Sequence, residues 1–187
     1  MANKVLMGFS DLYVGTYTVS ALGVVTMGTP YHQAGAVGFS PSESSDKSDF
    51  YADNVAYYTT YGAAAVEGDL TVAMFDDKFK TDFLGYVQLD DGGLAQVKNP
   101  TKPNIYMAFE VQGDAEGRRV IFYNGTLGEI TREYATIEDT VTPQTESLPV
   151  SFAGDNETGI KMVVYKESDA GYATLFTNPP APTLPSA

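Results

Sequence analysis

Side chains that commonly carry chemistry are scarce in this sequence. His32 is its one histidine, so no HxH or HxxxH metal motif can form. Cysteine is absent, which excludes disulfides, thiol nucleophiles and thiolate metal sites, and no serine occupies a G-x-S-x-G turn. We therefore expect no catalytic, cofactor-binding or metal-binding residue and a protein that is not an enzyme. His32 is expected to be an exposed loop side chain.

Pairs of adjacent acids are the other candidates for acid–base chemistry. Asp76 and Asp77 precede a helical pattern, so helix capping accounts for them, and the pair at residues 90–91 precedes two glycines, so a turn accounts for it. A third pair lies at residues 138–139. A glycosidase remains the weakest alternative, because the spatial pairing of two carboxylates cannot be read from sequence. Calcium-loop, Walker and dinucleotide-binding motifs are absent.

The charge of the chain argues against a surface that grips nucleic acid. Its 24 acidic and 11 basic residues give a formal net charge of −13, whereas phosphate binding needs clustered Lys and Arg. The adjacent Arg118 and Arg119 are expected to pair with Glu110 or Glu116 across a hairpin. The plainest interpretation of the acidic excess is solubility.

Length and composition indicate one domain, with or without an extended arm. The 187 residues are 43% hydrophobic and 12% aromatic, enough for a sizeable core. The longest apolar stretches, at residues 63–66 and 161–165, are too short to cross a bilayer, and the first residues do not resemble a signal peptide. We expect a soluble protein, made in a cytoplasm, with no membrane partner.

The first half of the chain reads mostly as strands. Strand-like patterns cover residues 4–19, 36–39, 54–61 and 67–75, and the segment at 54–61 has aromatic residues on both faces. Residues 40–53 are polar and serine-rich, which predicts a loop or hairpin tip that is longer than an ordinary connection.

One segment changes from the period of a strand to that of a helix. Residues 77–86 carry Phe79 and Phe83 four residues apart, after an acidic N-cap signal at Asp76 and before a C-terminal stop at Gly85. This pattern predicts a short amphipathic helix that packs both phenylalanines onto a sheet.

The second half predicts further hairpins. Residues 87–97 surround an Asp-Gly-Gly turn, and residues 104–111 and 118–126 form the clearest antiparallel pair. A weaker strand pair is expected over 134–152, followed by a strand over 159–166.

Together these elements predict a mainly β fold: an antiparallel two-sheet β-sandwich or barrel with one flanking α-helix. The domain is expected to span residues 1–166, with its folded body from about residue 5. Residues 167–187 are expected to form an extended, proline-rich arm whose last ten residues are an extended or disordered tail, because four prolines remove backbone donors. The predicted sheet core is Leu70, Val72, Met74, Ile105, Met107, Phe109, Val120 and Phe122.

Four blocks of the sequence carry a resemblance to a known family. They read FYADNVAYYTTY, EGDLTVAMFDDKFKTDFLGY, AFEVQGDAEGRRVIFYNGT and VTPQTESLPVSF, and they cover most of residues 50–152. In order and spacing they resemble major tail proteins, the tail tube proteins of siphophages that infect Gram-positive bacteria.

The resemblance implies a structural subunit of the virion tail. Such proteins resemble the tube proteins of contractile tails and type VI secretion systems, and they form hexameric rings that stack into a hollow tube. Genomic DNA would pass through the lumen during ejection without specific binding. The implied partners are other copies of the chain, a tape measure protein, and tail terminator and distal tail proteins.

A tube gives meaning to several sequence features. The loop at residues 40–53 is expected to contact a neighbouring subunit or ring, and the acidic excess suits a lumen that repels phosphates. The segments 67–69 and 129–139 are expected to contribute lumen acids, because they have few basic neighbours in the sequence. The alternative from another class is a carbohydrate- or cell-surface-binding β-sandwich of a virion, which the lack of tryptophan weakens.

Overall fold

The computed structural model describes residues 8–44, 47–52, 55–61, 64–113, 116–134, 136 and 144–185. Within these residues the chain is mainly β, with antiparallel pairing throughout and one helix. The elements are β1 (Phe9–Val19), β2 (Val25–Met27), β3 (Tyr31–Gln33), β4 (Ala36–Ser44), β5 (Lys47–Ala52), β6 (Val55–Tyr61), β7 (Ala65–Val72), α1 (Asp77–Leu84), β8 (Val87–Gln88), β9 (Leu94–Ala95), β10 (Ile105–Val111), β11 (Arg118–Leu127), β12 (Glu146–Phe152) and β13 (Met162–Lys166).

The strands form two layers that share β11. In the first layer β2 and β3 pair with β1, which pairs with β10, then β11, then β13. In the second layer the end of β11 pairs with β12, which pairs with β7, then β4. The predicted hairpins of β8 with β9 and of β10 with β11 are confirmed.

The two layers separate at a bulge in β11. Residues before Tyr123 pair with β13, and those from Gly125 pair with β12. The register with β10 slips between them, and Asn124 has a φ of 53°. Its side chain accepts a hydrogen bond from Asn104 at 2.9 Å and donates one to the carbonyl of Gly154 at 2.8 Å. This bulge lets one strand serve both layers.

The main core lies between the layers and confirms seven of the eight predicted residues. Leu70 and Val72 on β7 are fully buried, opposite Met107 on β10 and Phe122 on β11. Met74 was predicted to continue the buried face of β7, and this is wrong: it is 63% exposed. Because β7 ends at Val72, the two-residue alternation no longer directs the side chain at position 74.

The predicted helix is confirmed, with the expected start at Asp77 and a corrected end. Phe79 and Phe83 are buried in the main core. The helix ends at Leu84, two residues before the expected end at residue 86, because Gly85 takes a left-handed conformation with φ 68°. Asp76 is the N-cap residue but makes no side-chain capping bond; its carboxylate accepts the hydroxyl of Tyr31 at 2.8 Å instead.

Residues 40–44 and 47–52, the described part of the segment 40–53, lie in strands and not in a loop. β4 continues to Ser44 and pairs with β7 along its length, and β5 pairs with β6. The loop prediction failed because serine and proline are common in turns. In the structure, pairing with β7 holds β4 in an extended conformation. Pro41 is tolerated because β4 is the last strand of its layer.

Other expected strands need smaller corrections. β1 begins at Phe9, and residues 1–7 lie outside the described part. Of the pair expected over 134–152, the structure shows β12 and an isolated bridge between Thr131 and Ser147. Tyr134 is 87% exposed, and residues 135 and 137–143 are not described.

A second apolar cluster lies on the other face of the first layer, and the sequence did not predict it. Tyr106, Ile121 and Tyr123 are fully buried there beneath the C-terminal segment, which contributes the fully buried Leu175. We call residues 171–182 the strap. Pro179 and Pro182 are buried, and Tyr123 donates a hydrogen bond to the carbonyl of Pro180 at 3.0 Å. The core therefore continues past the expected domain end at residue 166.

The expectation of an extended arm is wrong for the first part of the strap: residues 171–178 form consecutive turns, in which the N–H of Asn178 donates to the carbonyl of Thr174 at 2.7 Å. The strap is held by specific contacts. The guanidinium of Arg119 lies between the rings of Tyr172 and Phe176, 4.0 and 4.2 Å from their centroids. It also donates to the carbonyl of Tyr172 at 2.8 Å. Phe176 stacks on Tyr13 with 4.5 Å between ring centroids.

Replacing Phe83 with alanine should lower the free energy of unfolding by about 3–5 kcal/mol, because it leaves a cavity between α1 and the sheet. Urea unfolding followed by circular dichroism measures this loss. Thr81→Ala, on the exposed face of the same helix, is the matched control and should stay within about 0.5 kcal/mol of wild type. Equal stability of both variants would show that the helix does not depend on this packing.

Ending the chain after residue 170 should destabilise it by at least about 2–5 kcal/mol, the usual cost of removing one buried leucine such as Leu175. Ending it after Asn178 should cost less, on the order of 1 kcal/mol, through the lost Tyr123 hydrogen bond. Leu175→Ala in the full chain is the comparison variant. Wild-type unfolding midpoints for both truncations would show that the segment contributes nothing to the stability of the fold.

Candidate functional surface

The outer side of the second layer is a polar face. Inward residues such as Leu70, Leu148 and Val150 alternate with outward ones, and cross-strand partners point the same way. Glu67 pairs with Ser42 on β4 and Ser151 on β12, so these side chains share the outer side. The polar face consists of Ser40, Ser42, Glu67, Asp69, Thr126, Pro149 and Ser151.

Small side chains leave this face concave. A Cβ added to Gly68 would lie 2.5 Å from the carbonyl oxygen of Ser40, so glycine is needed where β4 and β7 approach. A Cβ added to Gly128 would lie 2.4 Å from Cγ of Pro149. The result is an open groove floored by β7 and β12.

The charge of the groove comes from carboxylates. Glu67 and Asp69 are exposed, with Ser40 and Ser42 opposite them on β4. None of the residues that line the groove in the described part of the chain is Lys or Arg. The lining residues therefore offer hydroxyls and negative charge. The ammonium of Lys102, which donates to the carbonyls of the lining residues Leu127 and Gly128, is paired with Glu129.

Glu129, expected to have few basic neighbours, has one in contact. Lys102 lies 2.6 Å from its carboxylate and also donates to the carbonyls of Leu127 and Gly128, at 3.2 and 2.7 Å. The Lys102 hydrogen bond holds the pKa of Glu129 below its ordinary value. This ion pair anchors the chain after β11. Whether residues 129–139 contribute lumen acids stays a prediction, and residues 137–139 are not described.

The two basic neighbours are paired as predicted. Arg119 contacts Glu110 at 2.9 Å, and Arg118 contacts Glu116 at 3.5 Å. The sequence missed the further role of Arg119, which holds the strap. Its cation–π partners are more than fifty residues away in sequence, so no local pattern could show them.

His32 is exposed, as expected, but lies on β3 instead of in a loop. Its Nε2 is 3.9 Å from Asp11, and its ring lies 4.9 Å from that of Tyr13. Neither Asp11 nor Tyr13 was predicted as a neighbour of His32. β1 has a bulge here, with Asp11 at φ 52°, and the sequence pattern does not predict that bulge.

The acidic pairs take structural roles where they are described. Asp91 accepts the backbone N–H of Gly93 at 3.0 Å, which confirms the turn. No group of metal-ligating side chains occurs among the described residues, and no helix of the described part is long and apolar enough to span a bilayer. The third pair, at residues 138–139, lies outside the described residues.

Asp155 is a buried carboxylate whose hydrogen bonds link β1 to the loop before β13. It accepts the hydroxyl of Tyr17 at 2.6 Å, and the backbone N–H and hydroxyl of Thr158 at 2.8 Å each. Burial raises the pKa of Asp155, but these hydrogen bonds outweigh burial and hold it below its ordinary value. Burial and the same bond raise the pKa of Tyr17. This pair fastens β1 to the loop before β13.

Alternation could have revealed more of the polar face. In the segment SLPVSF, Leu148, Val150 and Phe152 alternate with Ser147, Pro149 and Ser151, a clear two-residue period. Ser40 and Ser42 carry no such signal, because their segment resembles a turn.

Comparison with known families decides the classification. A family model described as phage tail tube protein matches residues 2–170. The chain belongs to the phage tail tube protein family. It is accordingly a structural subunit of a tail tube and a component of the virion tail, as the four sequence blocks predicted. A comparison with curated proteins found no match.

Solved structures add distant likenesses. A chain of the PVC sheath–tube complex, from an extracellular contractile injection system in the extended state, is 10% identical, with coverage of 83% of this chain and 88% of that chain and a TM-score of 0.44. The tube-terminating cap of the anti-feeding prophage is 9% identical, covering 89% and 95%, with a TM-score of 0.48. The PVC sheath/tube terminator is 10% identical, covering 87% and 98%, with a TM-score of 0.45. At these scores the likenesses carry no argument about assembly.

Proposed function

We propose that this subunit assembles into stacked hexameric rings that form a hollow tube, with its polar face toward the lumen, and that DNA passes through the tube during ejection. The observation that supports this most is the concave, cation-free groove around Glu67 and Asp69. A tail tube subunit needs one face that tolerates a passing polyanion, and this face fits that requirement.

The charge of the lumen would matter more for the release of DNA than for its binding. Each phosphate that a lysine neutralises steepens the salt dependence of DNA binding by about 0.9 in logarithmic slope. Contacts repeated on every subunit of every ring would therefore hold the genome firmly. Carboxylates and hydroxyls avoid this retention, and the surrounding net charge of −13 adds a repulsive field.

The β5–β6 pair supports contact between copies. It forms a two-stranded sheet of its own, and in the sequence it lies between β4 and β7, which pair with each other in the main sheet. An isolated two-stranded ribbon is marginally stable in water, so packing against another subunit or ring would stabilise it. This retains the role first expected for residues 40–53, now assigned to a strand pair.

The remaining features of the proposal come from the family resemblance. A tape measure protein inside the tube, terminator and distal tail proteins at its ends, a siphophage of Gram-positive hosts and synthesis in the host cytoplasm all fit a tube subunit. The role is structural and not catalytic.

The carbohydrate-binding alternative lacks a supporting observation. Sugar stacking requires open ring faces, but the surface rings of Tyr13 and Phe176 stack on each other, and Arg119 covers the other side of Phe176. Among the residues whose side-chain exposure is described, which leaves out residues 44–63, Tyr134 is the strongly exposed aromatic side chain, and a single ring makes no binding platform.

Replacing residues 47–61 with an Asn-Gly turn should leave the subunit folded while preventing tube formation, because it removes the β5–β6 pair and keeps β4 and β7 connected. Negative-stain microscopy of purified protein measures tubes, and circular dichroism checks folding. Wild-type protein should give rings or hollow rods under the same conditions. Normal tubes from the shortened chain would mean that the strand pair is a surface excursion.

Reversing Glu67 and Asp69 to lysine should preserve tubes but make them retain DNA, since the groove then presents cations to phosphates. The readout is DNA bound to assembled tubes as salt is varied, together with the ejection rate of phage carrying the variant. The control reverses Asp90 and Glu157, which are exposed elsewhere and change the net charge equally. Equal DNA retention by both double variants would place Glu67 and Asp69 outside the lumen.

A further inference from the structure

The first layer ends in strand edges on both sides. No described strand pairs with the outer edge of β13, and none pairs with the outer edge of β3. β13 has the sequence MVVYK, without proline or a bulge. By contrast β4, the edge of the second layer, contains Pro41, which removes a backbone donor. Edge protection is therefore weaker at β13, which suits strand addition.

The two edges lie at the same height across the layer. Residue pairs in register run from strand to strand without a break: Met162, Phe122, Met107, Val14 and Tyr31. The five strands alternate in direction, so β13 and β3 run the same way. A second copy placed beside the first, without a shift along the strands, would set its β3 parallel to β13.

An exposed side chain and a cleft match each other across this junction. Met162 and Val164 point to the same side as their partners Phe122 and Val120, toward the core between the layers, yet they are 46% and 41% exposed. On that side, a cleft beside β3 is bounded by Pro30, Tyr31 and, on α1, Lys78, Asp82 and Phe83. Met162 of one copy would face this cleft of the next.

The charges near the two edges favour a head-to-tail arrangement. Lys161 precedes β13 and Lys166 ends it, whereas Asp11, Asp76 and Asp82 lie around β3, where Lys78 on α1 pairs with Asp82. Lys161 and Lys166 also contact Glu43 and Glu116 of their own chain, at 3.9 and 2.9 Å, so their attraction for a neighbour is reduced. The asymmetry still disfavours joining two β3 edges, where like charges would meet.

We propose that neighbouring subunits within a ring join through β13 of one copy and β3 of the next, with Met162 seated in the cleft between β3 and α1. The partner is a second copy of this chain, and the contact is heterologous, as ring closure requires. This inference rests on the proposed ring assembly and adds the two surfaces that meet.

The absence of cysteine allows a direct cross-linking test. Full-length protein carrying both Met162→Cys and Lys78→Cys is assembled and treated with a short bis-maleimide. A ladder of cross-linked oligomers is expected on a denaturing gel, while each single variant alone stays monomeric. Mixing the two single variants should give dimers. The control pair, Lys78→Cys with Leu184→Cys, places the second cysteine in the C-terminal segment and should give no ladder.

A second variant tests the energetic role of the contact. Met162→Asp should remain folded, because the side chain is half exposed, and should lose tubes in microscopy because a carboxylate would be buried in the cleft. Leu184→Asp, at a side chain that is 61% exposed against 46% for Met162, should form normal tubes.

The outcomes separate the two proposals. If wild-type protein forms tubes but the double-cysteine variant gives no ladder, or Met162→Asp forms normal tubes, the edge assignment is wrong and ring assembly stands. Self-cross-linking of the Met162→Cys single variant would also overturn it, because that result requires a symmetric contact. If wild-type protein forms neither rings nor tubes, the proposed function fails and the edge assignment with it.

Discussion

The fold depends on how one strand, β11, is shared between two layers. A sheet with two apolar sides must cover both, and the bulge at Asn124 allows this by redirecting β11 from β13 to β12. Hydrogen bonds from Asn104 and to Gly154 fix the bend. The second layer then folds over the first, and the apolar side chains of both meet in the main core. Without this bend the two layers would have to be joined by some other connection.

The first layer is buried on both faces, which explains where sequence patterns succeed and fail. Alternation correctly identified Ile105, Met107 and Phe109 as one buried face of β10. The intervening Tyr106 and Ala108 are also fully buried, against the strap side. Tyrosine there could equally have indicated a half-buried surface. Nothing local in a proline-rich tail shows that it will cover a sheet more than fifty residues away in sequence.

The polar face was predictable only where the sequence alternates with the two-residue period of a strand. Residues 67–69 were singled out because they have few basic neighbours in the sequence, and the clear alternation of their strand places Glu67 and Asp69 on one side. Ser40 and Ser42 were assigned to a loop because serine and proline are common in turns, and the strand they form exists through pairing with β7. The contact between Glu129 and Lys102 was missed for a related reason: Lys102 comes from a separate segment, and sequence distance does not reveal that contact.

The surfaces of the subunit limit how it can contact its neighbours. The outer face of the first layer is covered by the chain's own strap, and the outer face of the second layer is polar and cation-free. Neither offers apolar area for a stable contact. Strand edges and the β5–β6 pair supply backbone donors and acceptors that do not depend on the sign of the surface charge. For a chain of net charge −13, association through backbone pairing at edges tolerates mutual repulsion better than contact between acidic faces would.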